Sequence, residues 1–238
     1  QSSCCYSSMA NVLIIGASSG IGRQLALQLA ATGNNVYATY RTRQVEDNNN
    51  LQYFPYDVLD ESASLHFLPG KLDGFVYCPG SINLRPFARI KPEDFTKDFE
   101  LNVTGAVRTL QLAMPSLKAA DNASVVLFST VAVQAGLNFH SQVAASKGAV
   151  EGFTRALAAE LAPKIRVNCI APSLTDTTLA TALLNSPEKR ETSAQRHPLK
   201  RVGRATDIAN MAAFLLSSDT GWVTGQVVHI DGGMSAIR

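Results

Sequence analysis

Three glycines, Gly16, Gly20 and Gly22, close the run Val12 to Gly22, Val-Leu-Ile-Ile-Gly-Ala-Ser-Ser-Gly-Ile-Gly. The chemistry open to such a run is phosphate binding. Val12 to Ile15 reads as a strand buried on both faces. From Ile21 the apolar residues recur at helical spacing through Leu25 and Leu29, and Gly33 stands where a helix C-terminal glycine belongs. Strand, glycine turn and helix together aim free backbone N–H groups and a positive helix end at an anion. Gly16, Ser18, Ser19, Gly20, Ile21 and Gly22 are therefore the candidate cradle for a nucleotide pyrophosphate. Arg41 and Arg43 follow the next apolar segment, Asn35 to Thr39, with no acidic residue before Glu46. Where that strand end faces an adenosine ribose, an acid would bind both hydroxyls of NAD, whereas Arg41 can clamp a 2′-phosphate. NADP is the expected cofactor and NAD the alternative. Two more residues have types suited to proton chemistry. Asn102 lies inside a helical pattern, where asparagine is a poor helix former. His140 precedes Lys147 by seven residues, so a continuous helix would set both on nearly one face.

The elements that must position these groups alternate along the chain. Strands are expected at Asn35–Thr39, Leu51–Tyr56, Leu72–Tyr77, Ser124–Phe128, Ile165–Ile170 and within Thr224–Gly233. Helices are expected over Asp60–Leu68, Pro92–Met114, Val143–Leu161 and Asp207–Leu216. In Pro92–Met114 the apolar steps run Phe95, Phe99, Val103, Val107. Strands alternating with helices give one α/β domain built on a doubly wound parallel sheet. The length of 238 residues suits a single domain with a sizeable core. No internal repeat or linker interrupts it. Gln1 to Ser8 is expected to be an appended or mobile leader ahead of Met9.

Composition narrows the partners. The formal charge of +2 is too small and too evenly spread for nucleic-acid binding. No apolar run approaches a membrane span. The four cysteines, Cys4, Cys5, Cys78 and Cys169, have neither metal-ligand spacing nor a disulfide framework, so no metal is expected and a reducing, cytoplasmic location is.

The Gly-x-x-x-Gly-x-Gly spacing of Gly16, Gly20 and Gly22 resembles that of the short-chain dehydrogenase/reductase family, and the resemblance runs from Val12 to Gly233. It covers Asp57-Val58, Gly80 in Cys-Pro-Gly, Asn102 in Leu-Asn-Val-Thr-Gly, Lys147 in Ala-Ala-Ser-Lys, Pro172 and Thr177 in the turn after Ile170, and the Asp-Gly-Gly ending. The resemblance implies a Rossmann-like fold and carbonyl or enoyl chemistry with a nicotinamide cofactor. It implies that Asp57 and Val58 lie along the adenine, that Gly80, Pro172 and Thr177 flank the cofactor, and that Asn102 kinks its helix and holds a relay water. It places a substrate lid near residues 175–200 and implies a homotetramer or homodimer packed through the long helices.

Cys78 and Pro79, Ser173 and Thr175 depart from the family's pattern, and the family's proton donor is not met. The proton-donating tyrosine precedes the lysine by four residues, and here that residue is Val143. The partner serine, thirteen residues earlier, becomes Thr130. Valine neither gives nor takes a proton. A water held by Thr130 and Lys147 could deliver it, and so could His140, at the wider spacing of the family's enoyl-reductase branch. The expected activity is an NADP(H)-dependent oxidoreductase on a small carbonyl, alcohol or enoyl substrate with an atypical proton donor. The alternatives are a cofactor-binding protein without redox turnover, such as a sensor or assembly subunit, and a non-redox lyase or cyclase.

Overall fold

Successive side chains of β1 (Asn11–Ile15) point to opposite faces, and the interior divides accordingly. Leu13 and Ile15 pack in one buried cluster with Phe75, Leu110, Val125 and Val167. Val12 and Ile14 pack in a second with Leu25, Val36, Val126, Ile208 and Ala212. A strand apolar on both faces has to be covered on both, as in the interior of a parallel sheet. The structure is a computed structural model that describes residues 9–237, so the leader expected over residues 1–8 lies outside the described residues.

After β1 the chain forms α1 (Gly20–Ala31), β2 (Asn35–Tyr40), β3 (Leu51–Pro55) and β4 (Gly74–Tyr77). A helical rod follows: α2 (Pro92–Phe99), a π-helical segment (Glu100–Thr104) and α3 (Gly105–Lys118). Then come β5 (Ala123–Phe128), α4 (Ala132–Ala135), α5 (Ser141–Leu161), β6 (Ile165–Pro172) and β7 (Thr175–Asp176). The last elements are α6 (Pro187–Gln195), β8 (Gly203–Arg204), α7 (Ala205–Leu216) and β9 (Val227–Ile230). The main sheet runs β3-β2-β1-β4-β5-β6-β9, all pairs parallel. Helices α1 and α7 supply buried residues to one face, α3 and α5 to the other. Strand order reverses between β2 and β4 on either side of β1, and the crevice beyond the carboxyl ends at such a point is where ligands enter.

Three expectations change. Residues 60–68 are turns, not a helix. Asp57 and Asp60 accept from the backbone N–H groups of Leu59 and Ser62, so local side-chain bonds close turns instead of starting a helix. In the rod, Phe99 is 45% exposed while Asp98 and Asn102 are buried. The π-helical segment inserts an extra residue, which rotates the buried face and removes Phe99 from the apolar stripe. The segment expected as a lid, residues 175–200, is bracketed by a short second parallel sheet, β7 with β8, that pairs Thr175 with Gly203 and Asp176 with Arg204. Among the described residues no helix is long and apolar enough to cross a membrane.

Candidate functional site

The turn after β1 is fixed by backbone geometry. Gly16 and Gly20 have φ of +75° and +56°, conformations that side-chain-bearing residues avoid. The Gly16 N–H donates to Thr39 Oγ1 at 3.0 Å, which ties the turn to β2. A Cβ on Gly22 would stand 2.4 Å from the Gly16 carbonyl oxygen, so only glycine lets α1 start this close to β1. The Ser19 side chain makes no capping bond, and no acidic residue occupies the first turn. The N–H groups of that turn therefore remain available to an anion. Ser18 and Ile21 are half-buried beside it.

Asn102, Lys147 and Gly80 meet at the carboxyl ends of β4 and β5. Asn102 is 1% exposed inside the π-helical segment. Its Nδ2 donates to the Asp98 carbonyl at 2.8 Å, while its Oδ1 has no hydrogen-bond partner. The widened turn frees the Leu101 carbonyl, which accepts from the Tyr77 hydroxyl at 2.6 Å. Gly105 leaves room for that hydroxyl, since a Cβ there would stand 2.7 Å from it. Lys147 is buried on α5 and its Nζ donates to the Phe128 carbonyl at 2.9 Å. Desolvation lowers its pKa to about 8. A Cβ on Gly80 would stand 3.4 Å from Asn102 Oδ1 and 3.6 Å from Lys147 Nζ, so the two polar groups converge on the bare side of Gly80. An orphaned buried oxygen and a buried ammonium beside a glycine cradle fit a ligand carrying hydroxyl and phosphate groups, as a nicotinamide dinucleotide does.

Above this floor opens a cavity of about 590 Å³. Its wall includes Thr130, His140, Val143, Lys147, Pro172 and Thr177. Thr130 follows β5 and its Oγ1 accepts from the Ala132 N–H at 3.3 Å, which leaves the hydroxyl hydrogen free to donate. Its neighbour Ser129 instead donates to the buried carboxylate of Glu151 at 2.7 Å. Val143 is buried on α5 and lines the cavity one turn before Lys147. His140 is the N-cap of α5, not a residue of its helical face, because the helix begins at Ser141. Its Nδ1 donates to the Asn138 carbonyl at 2.7 Å, leaving Nε2 as the second nitrogen. Thr177 reaches back toward the cradle, where a Cβ on Gly20 would lie 3.4 Å from Thr177 Cβ.

The residues expected at the adenine end lie farther along the sheet. Arg41 is exposed just beyond β2. Asp57 is half-buried after β3, and Val58 is buried, its carbonyl accepting from Arg108 at 2.8 Å. Three residues that were not sequence candidates, Asp98, Ser81 and Ser146, belong to the corner of Asn102 and Lys147. Asp98, 4% exposed, accepts a short hydrogen bond from Ser81 and another from Ser146 at 2.5 Å. The available signal was its place four residues before Asn102, on the same helical face. No cluster of three or more metal-ligating side chains occurs among the described residues.

Comparison with known proteins adds names. Residues 16–235 match a family model described as enoyl-(acyl carrier protein) reductase. A tropinone reductase homologue of Arabidopsis thaliana is 32% identical over 94% of this chain and 92% of its own. The structure of a short-chain type dehydrogenase/reductase from Mycobacterium ulcerans is 30% identical, covers 96% of this chain and 90% of its own, and superposes with a TM-score of 0.86. The structure of ElxO with NADP bound is 26% identical, with a TM-score of 0.85 over 95% of this chain and 98% of its own.

Proposed function

The chain belongs to the short-chain dehydrogenase/reductase family, and from that premise we propose that it is an NADP(H)-dependent oxidoreductase of a small carbonyl, alcohol or enoyl substrate whose proton donor is not a tyrosine. The observation that carries the reading is the convergence of Lys147 Nζ and the unpartnered Asn102 Oδ1 on Gly80, at the floor of a cavity next to the glycine turn.

The backbone of Gly16, Ser18, Ser19, Gly20, Ile21 and Gly22 would hold the pyrophosphate. Arg41 would clamp the 2′-phosphate, and Asp57 and Val58 would border the adenine. Gly80, Asn102, Lys147, Pro172 and Thr177 would frame the nicotinamide riboside. NADP-bound ElxO supports this choice of cofactor, with NAD as the alternative. When bound, the dinucleotide supplies hydride exchange. The chain has to handle the proton and the charge on the substrate oxygen. Thr130 Oγ1 would donate to that oxygen in place of the family's serine. Lys147, with a pKa near 8, keeps an ammonium at neutral pH and steadies the negative charge that develops there. A water between Thr130 and Lys147, or His140 Nε2, can exchange the proton.

Binding of NADPH, read by its fluorescence, and its oxidation against a panel of ketones and enoyl thioesters test the reading. Tight binding with turnover of at least one substrate is the expected result, and an absence of binding would defeat it. Val143 on the cavity wall favours a second reading, a cofactor-binding protein without turnover. Under that reading the parent is inactive and Val143→Tyr switches activity on. Segment 175–200 is proposed as the substrate lid, since Thr177, Leu179, Thr192 and Arg196 all line the cavity. The exposed Phe99 and Leu112, with the small exposed residues Ala145, Gly152 and Ala156 on α5, support assembly as a homotetramer or homodimer, which light scattering would report.

A further inference from the structure

A carboxyl group stands behind the cavity wall at the corner where the tyrosine is missing. Asp98 sits in the last turn of α2 at 4% exposure, with no salt bridge among the described residues. Three neighbours fix it. Asn102 Nδ2 holds its carbonyl at 2.8 Å. Ser146 Oγ, one residue before Lys147 on α5, donates to Oδ2 at 2.5 Å. Ser81 Oγ, one residue after Gly80, donates to Oδ1. Ser146 is 2% exposed and does not line the cavity, whereas Ser81 does. The Ser81 hydroxyl is therefore the link between a buried carboxylate and the space in which the substrate would bind. A buried carboxylate is costly unless its lone pairs are filled, and here two hydroxyls fill them, one from a residue that lines the cavity. His140 has no comparable support, because its bonded nitrogen is held only by a loop carbonyl.

We propose that Ser81 is a catalytic residue whose hydroxyl passes the substrate proton to the carboxylate of Asp98, the task for which Val143 has no group. The proposal rests on the oxidoreductase reading above. In alcohol oxidation the substrate O–H bond breaks and its proton goes to Ser81 Oγ. The Ser81 O–H bond breaks in the same step, and that proton goes to Asp98 Oδ1. The electron pair of the substrate O–H bond becomes the second bond of the carbonyl, while the hydride from carbon leaves to an oxidised nicotinamide dinucleotide. In reduction each transfer reverses, and the alcohol oxygen takes its proton from Ser81. Lys147 keeps its charge throughout. Asp98 acts through Ser81 and is a positioning and proton-storing residue.

The test compares Ser81→Ala, Ser81→Thr and Asp98→Asn with the parent chain. For Ser81→Ala, kcat is expected to fall about 10²-fold or more, with KM, NADPH affinity and thermal midpoint close to the parent's. Ser81→Thr restores the hydroxyl and is expected to recover most of kcat. Infrared spectroscopy of the protein without dinucleotide supplies a readout apart from turnover. The carboxylate band lost in Asp98→Asn is expected to shift in Ser81→Ala, since one hydrogen bond to that carboxylate has gone. Unchanged kcat in Ser81→Ala overturns the proposal, and so does an unshifted band. Loss of NADPH affinity and stability in proportion to kcat overturns it too, because that pattern belongs to a structural clamp. Should Asp98→Asn fail to fold, the Ser81 variants decide alone. A parent chain that binds NADPH and turns nothing over defeats the functional reading and the proposal together. An active parent matched by an equally active Ser81→Ala defeats only the proposal.

Discussion

The glycine cradle and the corner around Val143 lie at the same edge of the sheet but are built from different material. The cradle is backbone: positive φ at Gly16 and Gly20, a close approach at Gly22, and uncapped N–H groups at the start of α1. The corner is side chains drawn from the rod, the turn after β4, the end of β5, and α5. Backbone sites change by steric failure, where an added Cβ collides as at Gly22, or where positive φ excludes a side chain as at Gly16 and Gly20. Side-chain sites can change one member and keep the rest, because their groups are carried on separate elements. A chain can therefore keep the dinucleotide half of its family's machinery intact while its proton half is rebuilt.

Breaking the cradle is expected to have the largest effect. Gly22→Val forces backbone away from the Gly16 carbonyl and should weaken NADPH binding at least about 100-fold in fluorescence titration. In the corner, Lys147→Met removes the buried ammonium and should lower kcat/KM by about 10²- to 10⁴-fold in steady-state assays. The same residue sets a stability slope. Burial lowers the Lys147 pKa from 10.5 in the unfolded chain to about 8 in the fold. Between those values the unfolded chain binds the extra proton, so the contribution of Lys147 to folding stability rises as pH goes from 8 to 10.5. In urea titrations without dinucleotide the parent should gain up to roughly 3 kcal/mol across that window relative to Lys147→Met, a difference that cancels the opposing contributions of Cys78 and Cys169, whose burial raises their pKa values. At the sheet edge, Arg41→Ala should weaken NADPH about 10-fold and leave NADH affinity unchanged. The smallest effect is expected for Thr130→Ser, which keeps the hydroxyl and should change kcat less than about threefold. A ranking in which Thr130→Ser matched Gly22→Val would erase the contrast between the two regions.

That contrast also explains what could be read before the fold was seen. The β1 run and the glycine spacing were legible because they serve backbone needs that few residues satisfy. The seven parallel strands were legible because each is an apolar or alternating run bounded by turn residues. Asp98 was not legible, since an acidic residue in a helix ordinarily faces water. The apolar stripe through Phe95, Phe99, Val103 and Val107 assumed an unbroken 3.6-residue period, and the π-helical insertion at Glu100–Thr104 broke it. The helix expected at Asp60–Leu68 failed because Asp57 and Asp60 spend their side chains on turn N–H groups. His140 was placed near Lys147 by helical counting, but it reaches the cavity as a cap.

The two-residue pairing of β7 with β8 pins both ends of the intervening segment against each other. Arg190 reinforces one end by gripping Asp176 at 2.6 and 3.2 Å, and Arg201 holds Asp207 just beyond the other. If that segment is the proposed lid, fastening at one place gives it one axis to swing about, like a flap on a single seam. Its contents could then be exchanged wholesale, and under that proposal the molecules admitted would change, while the strands beneath keep their register.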